Sequence, residues 1–154
     1  MLKKTFTLIV FFFLSSCGYE AIHSKKNSLN YNFSISELSF IGDRDINLKM
    51  KEKLNNYTLN EKNKNFILKI SSITEKTVLA KNTSGDPTSF KSAVTVNIEV
   101  LIKDNFKNNI RIVDYFNYNN INNKFDLKRY EREIKINLAE TVTDKLIFKL
   151  SNIQ

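Results

Sequence analysis

Residues 90–102 read FKSAVTVNIEVLI and alternate between apolar and polar side chains over most of their length. Most even positions from Phe90 to Ile102 are apolar, whereas odd positions such as Lys91 and Thr95 are polar. Successive side chains of a β-strand point to opposite faces of its sheet, so this pattern predicts a strand with one face for a core. The other face is left for solvent or for a partner.

Turn signals separate this strand from its neighbours. Residues 66–80 alternate with some irregularity and predict a long strand before it. Residues 82–87, Asn-Thr-Ser-Gly-Asp-Pro, form the strongest turn signal in the chain, because glycine can adopt a positive φ and proline cannot donate to a ladder. On the other side, residues 104–109 predict a polar hairpin loop and residues 110–118 a fourth strand with mixed faces. The short turns favour an antiparallel meander of these three strands.

An earlier strand begins at Tyr31, with Phe33 on one face. Its apolar positions change phase near Glu37, which predicts a β-bulge, and Leu38 and Phe40 are expected on the other face.

Two helices complete the pattern. Gly42 and Asp43 predict a turn and a helix cap, after which apolar residues recur at helical spacing over a short helix of about 14 residues. Asp126 is the expected N-cap of a second helix of about 25 residues. The apolar positions of this helix are Leu127, Tyr130, Ile134, Leu138, Val142, Leu146 and Leu150.

The element order is therefore strand, helix, three strands, helix. The strand–helix–strand start favours a parallel pair in the sheet, and the later strands an antiparallel meander. Each helix has one apolar stripe, so both helices should pack on one face of the sheet. The predicted fold class is α+β, a two-layer sandwich with a four-stranded mixed sheet and two helices on one face.

The N-terminus has the pattern of an export signal. Residues 1–16 combine two lysines, the apolar run Phe6–Leu14 and small residues before Cys17, the only cysteine. The last four residues of this pattern, Leu14-Ser15-Ser16-Cys17, resemble the bacterial lipobox, in which the cysteine becomes the acylated N-terminus. Acyl chains such as palmitate would then hold the protein on a membrane. The alternative is an ordinary secretory signal followed by a free thiol.

Three parts follow along the chain. Residues 1–16 are a predicted lipoprotein signal peptide, residues 17–30 a polar lipidated tether, and residues 31–154 a single domain. Gly18 stands where retained lipoproteins have Asp, which resembles lipoproteins passed on to the outer membrane.

Composition argues against most chemical functions. The 154 residues have a net charge of +8 but one Cys and one His, which excludes cysteine-based metal sites and disfavours a Ser-His-Asp triad. Glu131 and Glu133 lie two apart on a helix and point in different directions, and no phosphate-binding or nucleophile motif occurs. We therefore expect no enzyme activity, no metal, no cofactor and no nucleic-acid partner.

Several segments together resemble one family. They are the lipobox with Cys17-Gly18-Tyr19, the strand–turn–strand of residues 80–98, and residues 116–118 leading into residues 129–132 and 137–139. In order and spacing these segments resemble the LPS-assembly lipoprotein LptE family. The family usually has more Arg and Ala, where this chain has Lys, Asn and Ile.

The resemblance implies a function at the cell outer membrane. Members of that family plug the LptD β-barrel, assist its assembly and bind lipopolysaccharide during LPS transport, so it implies an LptD-like barrel and lipopolysaccharide as partners. By the same resemblance, the barrel-contact turn would comprise Gly85, Asp86 and Pro87. The cations implied as lipid A phosphate contacts are Lys81, Lys91 and Arg111.

Two other functions remain open. The chain could be an outer-membrane lipoprotein that scaffolds another envelope assembly machine without binding glycolipid. A cell-wall hydrolase or transglycosylase is the other, and the missing nucleophile and acid pair argue against it.

Overall fold

The computed structural model describes residues 32–58, 62–102 and 106–153. In chain order, the elements are β1 (Phe33–Gly42), α1 (Arg44–Leu54), a 3₁₀ helix (Asn55–Tyr57), β2 (Lys64–Lys81), β3 (Pro87–Ile102), β4 (Phe106–Asn119) and α2 (Lys124–Ser151). The predicted signal peptide, Cys17 and the tether of residues 17–30 lie outside the described residues. In the part of the chain that the structure describes, neither helix has the length and apolar character needed to cross a bilayer.

The four strands form one sheet in the order β1-β2-β3-β4. β1 pairs parallel with β2, whereas β2 with β3 and β3 with β4 pair antiparallel. The predicted mixed sheet, element order and α+β class are confirmed. Residues directly opposite each other share a face, and one such row runs Phe40, Ile70, Ile98 and Ile110 from edge to edge.

The core lies between this face of the sheet and the two helices. From α1, Ile46, Met50 and Leu54 are buried at a spacing of four residues, and α2 contributes Leu146 and Leu150 in the same way. Their sheet partners are the apolar even-numbered residues of β2, β3 and β4. The strict alternation of β3 thus determines which face the helices cover.

The bulge near Glu37 is confirmed, but its effect on the two apolar residues after it was predicted wrongly. Ile35 pairs with Phe66 and Glu37 with Ile67, so the extra residue resets the phase of the strand. Leu38 and Phe40 consequently lie on the same face as Ile35 and pack against the core.

Two predicted boundaries were also wrong. β4 already begins at Phe106, so Asn109, predicted in a hairpin loop, pairs with Glu99 of β3. Ladder pairing to β3 overrides the polar composition of this stretch. The N-cap of α2 is Asn123, whose side chain accepts from the N–H groups of Phe125 and Asp126. Asp126 instead lies in the first turn, where a carboxylate favours the helix dipole.

Candidate functional site

One face of the sheet points away from both helices. We call it the open face, formed mainly by the odd-numbered residues of β2, β3 and β4. Among the described residues, no helix packs on it. Its central members are Lys69, Ser71, Ile73, Glu75, Thr77, Lys91, Ala93, Thr95, Asn97, Glu99, Asn109, Arg111, Val113, Tyr115 and Asn117.

An apolar stripe crosses the open face. Ile73, Val113 and Tyr115 are 50%, 49% and 57% exposed. Thr95 lies directly between Ile73 and Val113 in the register, and Tyr115 occupies the next row on the same face. Neighbouring apolar side chains on a surface commonly mark a contact site for a partner or a lipid.

A shallow groove of about 590 Å³ lies beside this stripe. Lys69 lines it from β2 and Arg111 lines it from β4. Serine and asparagine side chains and Glu99 lie between them, and Ile41 on β1 is 74% exposed at its border. The groove therefore offers cations, hydrogen-bonding groups and an apolar edge to one ligand.

The cations of the groove differ from several lysines of the helix layer. Neither Lys69 nor Arg111 forms an ion pair or a hydrogen bond with the described residues. By contrast, Lys49 lies 3.0 Å from Glu140, and Lys145 lies 3.1 Å from Asp114. A ligand can therefore bind the charges of Lys69 and Arg111 without breaking an ion pair between described residues.

Lys69 was missed by sequence reasoning. The signal was present, because Lys69 is an odd-numbered polar residue between the buried Leu68 and Ile70. Only the order of the strands, however, places Lys69 across the same groove as Arg111.

The predicted turn lies at the far end of the β2–β3 hairpin. Asn82 closes the turn, because its backbone N–H donates to the Asp86 carbonyl at 2.9 Å and its side chain accepts from the Ser84 and Asp86 N–H groups. Gly85 has φ +88°, in the left-handed region that glycine tolerates best. Pro87 opens β3 opposite Lys81. The predicted turn is confirmed, and its residues present an exposed tip.

The predicted cations do not form one cluster. Lys81 belongs to the tip, and Lys91 lies further along β3, with its Nζ 4.5 Å from the centre of the Tyr115 ring. Arg111 lies opposite Asn97, six residues beyond Lys91 along β3 and thus about 20 Å away. The cations therefore fall into two pairs. We call Lys81 and Lys91, which lie towards the hairpin tip, the tip pair, and we call Lys69 and Arg111 the groove pair.

A polar cluster ties the tip end of the sheet to the start of α2. Glu131 accepts from the Tyr118 hydroxyl at 2.9 Å and forms an ion pair with Lys76, whose Nζ lies 3.9 Å from the centre of the Phe90 ring. Burial and then the Glu131 carboxylate raise the pKa of Tyr118, so its hydroxyl stays a donor. These contacts join β2, β3, β4 and α2 and hold the hairpin against the helix layer.

Metal-ligating side chains do not cluster among the described residues. Within residues 32–58, 62–102 and 106–153, no group of three or more His, Cys, Asp or Glu side chains is placed to hold a metal ion. The open face itself carries cations, amides, hydroxyls and apolar groups.

Comparison with solved structures gives the fold a context. The rare lipoprotein B from Shewanella oneidensis matches with a TM-score of 0.55 and 13% identity over 75% of this chain and 97% of that chain. The fold therefore occurs in a bacterial lipoprotein. The minor lipoprotein from Acinetobacter baumannii matches with a TM-score of 0.53 and 15% identity over 77% and 92% of the two chains. The uncharacterized lipoprotein B from Nitrosomonas europaea has a TM-score of 0.53 and 13% identity over 79% and 86%.

No protein-family model matches the chain, and no curated protein matches it either. At identities of 13–15%, the likeness to these lipoproteins concerns the fold. It extends over nearly the whole of each solved domain.

Proposed function

We propose that this chain is an outer-membrane lipoprotein subunit of the lipopolysaccharide translocon, which plugs an LptD-like β-barrel, assists its assembly and binds lipopolysaccharide during insertion into the outer leaflet. The observation that carries the proposal is the open face, on which Lys69 and Arg111, without an ion-pair partner among the described residues, lie beside an apolar stripe. The bacterial lipoprotein fold and the LptE-like order of sequence segments support it.

Lipopolysaccharide has the chemistry that this face would recognise. Its phosphates and the carboxylates of its inner sugars suit Lys69, Lys91 and Arg111, and a guanidinium can bind a phosphate in a bidentate manner. Its acyl chains suit the stripe around Ile73 and Val113. One amphiphile could therefore use both parts of the open face.

A barrel partner suits the shape of the domain. A sheet with a polar, partly apolar open face can lie against the polar interior of a large β-barrel. Acyl chains on Cys17 would anchor the protein to the membrane. The anchor and the plug would then act at the same membrane.

The proposal is tested by purifying the tagged lipoprotein from its native envelope in mild detergent and identifying the proteins and lipids that accompany it. We expect one large barrel protein in equal amount, together with lipopolysaccharide. Recovery of a different assembly machine without glycolipid would contradict the proposal and favour the scaffold function. Recovery of the protein alone would contradict both.

Charge reversal tests the glycolipid contacts. One double variant reverses the groove pair (Lys69→Glu with Arg111→Glu), and another reverses the tip pair (Lys81→Glu with Lys91→Glu). Because a hydrogen bond to a charged group contributes about 1.5–3 kcal/mol, each double variant should bind lipopolysaccharide about tenfold more weakly, or weaker still. Binding of purified variants to lipopolysaccharide is measured at low and at high salt, and the loss should be largest at low salt.

The matched control carries the same change of charge on the helix layer. Lys51→Glu with Lys149→Glu alters two exposed cations in the helices and should leave binding within about twofold of the wild type. Equal losses in the control and in the open-face variants would show that only net charge matters. An open-face pair whose reversal leaves the low-salt affinity unchanged is not a contact.

A further inference from the structure

β4 forms one edge of the four-stranded sheet and pairs with β3 along its whole length. Its register with β3 runs without interruption from Phe106 to Asn119, whereas β1 at the other edge contains a bulge. β4 has no proline. Bulges and prolines are common devices that keep edge strands from pairing with other chains, so β4 lacks two of them.

One hydrogen bond reveals which backbone groups of β4 point outward. The Asn120 N–H donates to the Thr88 carbonyl at 2.8 Å, so these opposed residues belong to a hydrogen-bonded pair of the ladder. Such pairs alternate along an antiparallel ladder, which directs the backbone groups of Ile110 and Ile112 to β3. The N–H and C=O groups of Asn109, Arg111, Val113 and Tyr115 then point away from the sheet.

A side chain already occupies one of these outward groups. The Tyr115 N–H donates to Asp114 Oδ1 at 3.1 Å, and the other carboxylate oxygen of Asp114 lies 3.1 Å from Lys145 Nζ. The row of outward backbone groups that are free to pair with another strand therefore ends before Tyr115. In the stretch from Asn109 to Val113, the outward backbone groups have no hydrogen-bond partner within the described residues.

We propose that an extended segment of the barrel partner pairs with residues 109–113 of β4 and adds a fifth strand to the sheet. The inference rests on the proposed function for the identity of the partner. In such strand addition, the backbone hydrogen bonds of β4 would supply affinity, and the neighbouring side chains would determine which partner segment binds.

The neighbouring side chains determine the chemistry of that segment. Arg111 is exposed and has no ion-pair partner among the described residues, so a carboxylate opposite it would gain a cross-strand pair. Val113 is half-exposed and lies in the same row as Ile73. The partner segment should therefore have an apolar residue opposite Val113, two positions along the segment from its carboxylate. The guanidinium has five donors, which lets it bind this carboxylate and a ligand phosphate together.

Substitution of Val113 by proline distinguishes a contact made by the backbone of β4 from one made by its side chains. Because the Val113 N–H points outward, Val113→Pro removes a donor that the fold itself does not use, and proline is tolerated on such edges. Val113→Ala keeps the donor and shortens the side chain. From the native envelope, Val113→Pro should recover the barrel at no more than about a tenth of the amount recovered with Val113→Ala, which measures the loss caused by the shorter side chain alone. Equal recovery with Val113→Pro and wild type would overturn the inference, whereas absence of a barrel in the wild-type purification would overturn the proposed function.

Hydrogen exchange of the wild-type full-length protein gives a test that needs no variant. In the free protein, the amides of Arg111 and Val113 should exchange rapidly while those of Ile110 and Ile112 are protected. In the purified complex, the Arg111 and Val113 amides should become protected at least tenfold. If their exchange is the same in both states, the added strand is refuted even where Val113→Pro fails to fold.

Discussion

Asp43 shows how much one side chain contributes to the connection between the layers. Its Oδ1 caps α1 by accepting from the N–H groups of Asp45 at 3.0 Å and Ile46 at 3.3 Å. Its Oδ2 accepts from the Thr74 hydroxyl at 2.8 Å and from Lys135 at 3.1 Å. One carboxylate therefore joins α1, β2 and α2.

The pKa of Asp43 gives this connection a pH dependence. Partial burial acts to raise this pKa, but the hydrogen bonds from Thr74, Lys135 and the Ile46 N–H, with the charge of Lys135, hold it below its ordinary value. A carboxyl group whose pKa is lower in the folded state stabilises the fold fully above its unfolded pKa of about 3.9. That stabilisation is lost as the pH falls through the folded pKa.

We expect Asp43→Asn to lower the free energy of unfolding by about 1 kcal/mol at pH 7, because asparagine can still cap the helix but loses the ion pair with Lys135. Urea unfolding of both proteins from pH 7 to pH 3 measures the difference, which should shrink below pH 4, because proton uptake by Asp43 then favours the unfolded state of the wild type. Asp45, 3.6 Å from Lys135, remains in both proteins. A difference that stays constant to pH 3 would contradict the linkage.

At the scale of elements, two glycines at chain reversals differ in their surroundings. Gly42 ends β1 with φ +102°, and a Cβ there would lie 2.0 Å from the Ser72 carbonyl oxygen, a backbone atom that cannot move aside. Gly85 in the hairpin turn has φ +88°, yet a Cβ there would meet nothing within 4 Å. The first glycine is required by space and by conformation, the second by conformation alone.

Alanine at the two positions should therefore give unequal results. Gly85→Ala should cost about 1 kcal/mol, the ordinary strain of a left-handed residue. Gly42→Ala should cost more than twice as much, because β1 and β2 must separate locally to admit the methyl group. Thermal unfolding of both variants measures the difference. Equal midpoints for the two variants would show that the β1–α1 junction relaxes freely.

The elements themselves could be predicted from sequence wherever periodicity was strong. The alternation of β3 and the helical spacing of Ile46, Met50 and Leu54 predicted the core face correctly. Effects that depend on a partner strand could not be predicted, such as the phase reset after the bulge and the early start of β4. The candidate site shows the same limit, since Lys69 and Arg111 share a groove only through strand order.

For the whole molecule, the hydrophobic core and the proposed binding site lie on opposite faces of one sheet. The helix-covered face holds the fully buried side chains, whereas the open face holds half-exposed apolar residues and the cations Lys69 and Arg111. Burial of apolar area stabilises the fold by about 25 cal/mol per Å², so a substitution on the covered face must act mainly on folding. A substitution on the open face can alter binding with little effect on folding.

The same substitution on the two faces of β2 tests this division. Ile70 is 2% exposed and Ile73 is 50% exposed, and threonine preserves the β-branched shape at both positions. Ile70→Thr should lower the free energy of unfolding by about 2–4 kcal/mol, because it removes one buried methyl group and replaces a buried methylene by a hydroxyl. Ile73→Thr should change it by no more than about 0.5 kcal/mol while weakening lipopolysaccharide binding, measured on the same purified samples. Unchanged binding by Ile73→Thr would remove the apolar stripe from the proposed site, and a large loss of stability would show that this stripe belongs to the core.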